Sequence, residues 1–288
     1  MMSFLSMLFA SPPAPVFTSS CLIDLSSKIY IITDTSLPSN ISLARTLYNL
    51  HATIYIGLSS YDTIDILKAS CPNSKGHLKP FVYDPSDLAS VKSAVDNFLE
   101  NEWRLDVLFV NCSNEFLPCF VLVKLLMPIL QTSASHFCHP NSSIRVIWIS
   151  EEDSAQASCD QLYFLAQEFS RRKQCPKLND SYAHTLPNSN PSGVQHVLVD
   201  QRRQGADLRR SFGRFLPFGA QRTEYDVCTL LYAGLAPRVA SGDWVIPWGR
   251  KGEVSEFVRA CTARQNDETN GVAAALFEHY EERTRVSM

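Results

Sequence analysis

What this chain lacks narrows it first. Among its 288 residues no apolar run reaches about 18, the length that spans a bilayer as a helix, so no transmembrane segment is expected. No Lys or Arg precedes Lys28. The apolar residues 1–10 therefore lack the basic region of a secretory signal and read as part of an N-terminal arm, with Ser11-Pro12-Pro13-Ala14-Pro15 as a stiff spacer. There is no strong excess of one charge: 26 Lys and Arg face 29 Asp and Glu, a net charge of -3, which argues against nucleic acid as the main partner. There is no C-x-x-C pair. Nine scattered cysteines, an odd number, point to free thiols in a reducing, cytoplasmic setting rather than to a disulfide framework. Internal repeats and domain linkers are also missing; the polar stretch 173–192, rich in Pro, Asn and Ser, reads as an exposed loop.

What is present suffices for a sizeable core, at 45% hydrophobic and 19% charged residues. Residues 28–33 (Lys-Ile-Tyr-Ile-Ile-Thr) read as a buried strand, short, β-branched and apolar. Residues 39–50 read as a helix, with Ser39 as its N-cap and Leu43, Ala44, Leu47 and Tyr48 on one face. A strand, a tight turn and a helix at the head of a domain is how a dinucleotide-binding fold begins, yet this turn has no glycine. Further strands are expected at 52–57, 78–82, 105–111, 144–150, 194–200 and 243–247. Helices are expected at 63–70, 86–100, 116–130, 156–172, near 223–235 and beyond Glu253. Their alternation predicts an α/β fold: a doubly wound parallel sheet, Rossmann-like, in a single domain with C-terminal helices. The divisions expected are an arm over 1–26, the Rossmann-like domain over 27–250 and a helical extension over 251–288 packed on it.

The order of parts, and several stretches of text, resemble the short-chain dehydrogenase/reductase family, closest to its fungal retinol-dehydrogenase-like branch. The stretches are Met2-Ser3-Phe4-Leu5-Ser6, Asp24-Leu25-Ser26-Ser27-Lys28-Ile29-Tyr30-Ile31-Ile32-Thr33, Leu105-Asp106-Val107-Leu108, Leu165-Ala166-Gln167-Glu168-Phe169, Leu231-Tyr232-Ala233-Gly234-Leu235 and Val245-Ile246-Pro247-Trp248-Gly249-Arg250. The resemblance implies an NADP- or NAD-dependent oxidoreductase acting on a small lipophilic or secondary-metabolite substrate. Members carry T-G-x-x-x-G-x-G after the first strand, whose glycines admit the cofactor's phosphates to the helix N-terminus. Here Thr33 stands in place, and the glycine positions fall on Asp34, Pro38 and Asn40. A carboxylate about 5 Å from one phosphate charge costs about 3 kcal/mol at an effective dielectric of about 20. Pro38 removes an N–H, and Asn40 adds a side chain where space is short.

Other cofactor positions of the family keep their residue types. Asp84 matches an Asp that contacts the adenine, Asn111 the second Asn of N-N-A-G, and Lys124 a basic position in the following helix. Each has an ordinary alternative: a turn residue, a strand-end cap and a solvated helix face. Ser59 falls where many NADP-preferring members place Arg, so NAD against NADP stays open. The catalytic set departs entirely. The family's Asn, Ser, Tyr and Lys fall on Glu115, Glu151, Ala155 and Cys159; Ser150 lies one residue early, and neither Tyr163 nor Lys173 has the spacing to substitute. The family's Pro-Gly falls on Gln201-Arg202, and the chain is shorter than family members over 111–116 and 150–155. Removing one general acid commonly lowers a rate by about 10²–10⁴, so losing all four predicts impaired catalysis.

Three clusters remain. Glu115, Glu151, Glu152 and Asp153 could share protons and do acid–base work, or be solvated acids at strand ends. His136-x-Cys138-His139 offers metal-ligand types without an evident fourth ligand, so no metal is expected. Arg202, Arg203, Arg209, Arg210, Arg214 and Arg222 form a basic run that could meet phosphate or an acidic partner, or be a solvated surface. Two alternatives to a weakened reductase follow: a non-catalytic partner of an active relative, and a cofactor-independent isomerase or cyclase using Glu115 or Glu151. Family dimers, homo- or heteromeric, pack the helices around 116–130 and 156–172, and Leu162, Phe164, Leu165 and Phe169 offer an apolar face there.

Overall fold

A computed structural model describes residues 14–57, 62–112, 116–137, 144–150, 155–172, 193–201, 219–262 and 271–287, without the side chains of 219–225 and 286–287. Eight strands form one sheet: β1 (Ile29–Ile32), β2 (Thr53–Ile56), β3 (His77–Pro80), β4 (Val107–Cys112), β5 (Arg145–Ser150), β6 (Gln195–Asp200), β7 (Trp244–Ile246) and β8 (Arg250–Lys251). Their order is β3-β2-β1-β4-β5-β6-β7-β8, with every pair parallel except β7–β8. The helices are α1 (Pro38–Asn49), α2 (Asp62–Ser70), α3 (Leu88–Asn101), α4 (Phe116–Phe137), α5 (Gln156–Arg171), α6 (Gly219–Leu235), α7 (Glu256–Thr262) and α8 (Val272–Ser287). This is the doubly wound sheet expected. Its strand order reverses between β1 and β4, so the ligand crevice of such a sheet lies at the C-terminal ends of these two strands.

Alternation along the strands divides the core in two. Ile31, Leu108, Val110, Val146 and Trp148 face the layer of α3, α4, α5 and α8, with Phe98, Phe120, Phe169 and Phe277. Tyr30, Ile32, Ile54, Phe109, Ile147 and Val199 face the layer of α1, α2 and α6, with Leu43, Leu47, Leu67 and Leu230. Both faces are covered, which is why the strands read as nearly continuous apolar runs. The β1–β4 pair is pinned at its opposite end by buried Asp106, which accepts from Ile29 N–H (2.9 Å), Lys28 Nζ (3.0 Å) and both Arg104 Nε (2.8 Å) and one terminal guanidinium nitrogen (2.7 Å).

Several boundaries differ from expectation. Ser39 is not the cap of α1: Leu37 is, Pro38 opens the helix, and Ser39 is already buried inside it. Proline suits that first position because its missing N–H has no intrahelical acceptor there. β3 ends at Pro80, on a sheet edge where its lost donor does least harm. α4 continues through Phe137 and is, by length and composition, apolar enough to cross a membrane; 72% of its most apolar window is buried inside the fold, as a core helix. β8 was not expected. It returns antiparallel after Trp248 and Gly249, both at positive φ (72° and 70°). The described part of the N-terminal arm lies on the fold, with Leu25 buried and its N–H donated to Leu50 O.

The apolar face expected to be free for pairing is not free. Leu162, Phe164, Leu165 and Phe169 are all buried within the chain. Phe277 of α8 packs on Phe120 and Phe169 with ring centroids at 5.0 and 4.9 Å.

Candidate functional site

The crevice is bounded by the turn after β1 and the end of β4. Thr33 continues β1 by donating its N–H to Phe109 O, and its Oγ1 accepts the Asn111 N–H at 2.9 Å, which ties the two strand ends together. The turn then closes on Asp34. Its carboxylate accepts the Ser36 N–H (2.8 Å), the Ser36 hydroxyl (2.6 Å) and the Asn111 amide Nδ2 (3.1 Å). Asn40, fully buried in the first turn of α1, donates its Nδ2 to Asp34 O at 2.9 Å. Thr35 Oγ1 donates to Gly57 O at 2.7 Å, joining this turn to the end of β2. Gly57 is required there, since a Cβ on it would lie 1.9 Å from Thr33 O.

Tyr83, which the sequence reading passed over, is the other polar group at this end. It is half-buried and hydrogen-bonded with Thr33, and burial foremost, then the nearby Cys119, pushes its hydroxyl well above the ordinary tyrosine range, with Thr33 opposing. Tyr280 reaches the same neighbourhood from α8, stacked on Phe120; burial raises it too, Arg283 opposes, and Cys119 and Cys112 add to the rise. A general acid for carbonyl reduction needs a lowered pKa, so neither tyrosine is tuned to replace the family's.

Asp84 is exposed, and its Oδ1 accepts the Ser86 N–H (2.8 Å) and hydroxyl (2.6 Å), which hold its carboxyl below the usual range. Lys124 points to the C-terminal helix, where it pairs with Glu281 at 3.1 Å. Asn111 is brought to the turn, as described. Ala155 is the exposed N-cap of α5, with no side-chain cap, and Cys159 is fully buried one turn on. Ser150 is also fully buried and donates to Val199 O at 3.3 Å. Glu115, Glu151, Glu152 and Asp153 lie outside the described residues, as do Ser59, Cys138, His139, Lys173, the basic run from Arg202 to Arg214 and the side chain of Arg222. Among the described residues, no group of three or more His, Cys, Asp and Glu could hold a metal.

No family model matches the chain. Curated relatives do. A short-chain dehydrogenase/reductase of Phomopsis amygdali is 26% identical over 318 positions, covering 95% of this chain and 94% of that protein. One of Emericella nidulans is 27% identical over 287 positions, covering 85% and 91%. The chain is a relative of the short-chain dehydrogenases/reductases. The fold agrees. NADH-dependent reductase A1-R′ complexed with NAD matches with a TM-score of 0.51 at 15% identity, over 81% of this chain and 98% of that one. An NADPH-bound short-chain oxidoreductase of Pseudomonas aeruginosa PAO1, with an atypical catalytic center, matches with a TM-score of 0.53 at 14% identity, over 78% and 96%. The alignment with the Phomopsis relative runs over 318 positions, more than the 288 residues here, so that dehydrogenase/reductase carries residues with no counterpart in this chain.

A nicotinamide dinucleotide in such a crevice sets its pyrophosphate against backbone donors at the head of the helix. The residues present do not fit that group. The Ser36 N–H is given to Asp34, those of Asn40 and Ile41 to Leu37 O, and Pro38 has none. Where a dehydrogenase/reductase offers donors and open space, this relative places a carboxylate and a buried amide. The missed closure had a signal in the text: Asp-x-Ser occurs at Asp24-Ser26, Asp34-Ser36 and Asp84-Ser86, and in all three the Ser N–H and hydroxyl bond back to the Asp carboxylate.

Proposed function

We propose that this chain is an oxidoreductase-lineage protein in which hydride transfer between NAD(P) and a small lipophilic or secondary-metabolite substrate is strongly impaired. The observation that carries the reading is the turn after β1, closed by its own carboxylate on Ser36 and Asn111. The catalytic positions support it: an exposed Ala155 and a buried Cys159 supply neither the phenol nor the amine that carbonyl reduction needs. What the chain retains is the fold and, at the ends of β1 and β4, the hydrogen-bonded polar groups of Thr33, Tyr83 and Asn111. The proposed setting is cytoplasmic, on the odd and unpatterned cysteines.

The test is a titration of the intact chain with NADPH and NADH, followed by thermal unfolding. A ligand at about 100 times its Kd adds about 2.7 kcal/mol. No rise in Tm is expected at micromolar cofactor. A saturable rise in that range, with oxidation of NADPH on addition of a carbonyl substrate, overturns the proposal.

A further inference from the structure

The geometry points to Asp34 as the residue that sets which ligands this crevice takes, turning it from phosphorylated ligands toward uncharged ones that present hydrogen-bond donors. The inference rests on the reading just given and supplies its cause. Three neutral donors hold the Asp34 carboxylate, and among the described residues no Lys or Arg pairs with it. Its negative charge at the mouth of the crevice is therefore uncompensated by any cation among the described residues. Beside it, Asn40 Oδ1 is buried and has no hydrogen-bond partner, while the amide of the same side chain is fixed on Asp34 O. A buried acceptor without a donor is expensive to keep. The turn thus presents a carboxylate where an anion needs donors, and the mismatch is one of sign as well as of space.

The decisive comparison is the intact chain against Asp34→Asn, a substitution that keeps the shape and an acceptor oxygen for the Ser36 N–H. Calorimetric titration would use NADPH as the phosphorylated probe and adenosine as the uncharged one. The variant is expected to bind NADPH about tenfold more tightly at low salt, with the gain shrinking as salt screens the lost repulsion, and to bind adenosine within about twofold of the parent. An unchanged NADPH affinity, or an equal change for both probes, overturns the inference. Should the variant fail to fold, the parent itself decides. Repulsion requires its NADPH affinity to rise with salt, and a fall counts against Asp34. The two proposals fail separately. Tight NADPH binding with turnover by the parent defeats the proposed function whatever the variant does. Weak parental binding that Asp34→Asn leaves unchanged defeats only the role of Asp34.

Discussion

His196 is fully buried on β6, stacked against both Trp148 and Phe169, and accepts the Trp148 Nε1–H on its Nδ1 at 3.3 Å. That bond makes Nε2 the protonated nitrogen, and Nε2 has no partner. Burial pushes the imidazole down to about 3 from an ordinary 6.5. The unfolded chain therefore binds a proton below about pH 6.5 that the folded chain refuses until about pH 3. Stability is full above that window and falls as pH is lowered through it, by up to about 1.4 kcal/mol per pH unit from this group. Urea unfolding at pH 7 and pH 4.5 measures the loss. His196→Gln, which keeps an acceptor for Trp148, should lower stability at pH 7 and flatten its dependence on pH; an equally steep dependence in the variant would place the acid sensitivity elsewhere.

At the scale of elements, buried Arg145 is what holds α6 to the start of β5. It donates from Nε to Gln195 Oε1 (2.9 Å) and from its two terminal nitrogens to Ala233 O (3.2 Å), Ala236 O (2.8 Å) and Val239 O (3.3 Å), so the guanidinium closes the helix's C-terminal end, where the macrodipole favours a cation. Arg145→Met fills the volume and strands those carbonyls, and should lower stability by at least about 3 kcal/mol. Arg145→Lys should recover only part of this, because an ammonium cannot fork to the same acceptors. Chemical denaturation of the three proteins checks the ranking. From the sequence Arg145 was legible only as part of the strand expected at 144–150, since three of its four acceptors lie about ninety residues on. The same limit explains what else was and was not legible. Strands buried on both faces and helices with one apolar stripe announced themselves. The last two turns of α4 did not, because Gln131 and Ser133 are buried polar residues, Ser133 accepting the Leu105 N–H. The loss of glycine at Asp34, Pro38 and Asn40 could be read from the text, and Asp34-x-Ser36 signalled two of the closure's donors; the third, Asn111, could not be read because it arrives from another strand.

For the whole molecule, the C-terminal helix covers an apolar face of the fold. α8 lies on α4 and α5. Phe277 is fully buried between Phe120 and Phe169, Tyr280 stacks on Phe120 at 5.5 Å, and Arg172 sits 4.2 Å over the Phe277 ring while pairing with Glu168. Lys124–Glu281 closes one flank of the contact. An apolar surface already covered within the chain gives a partner little further burial to gain, so the hydrophobic drive for packing through α4 and α5 is spent internally. The intact chain is therefore expected to sediment at the monomer mass, against the dimer that the resemblance implied; a stable dimer at micromolar concentration would show that another surface associates. Phe277→Ala should lower stability by about 3–5 kcal/mol, the range for emptying a buried aromatic site. It should also make association concentration-dependent as the Phe120–Phe169 surface opens. A variant with parental stability would show that α8 is a passenger on the fold. One that is destabilised yet strictly monomeric would show that the uncovered face has no affinity for a second copy.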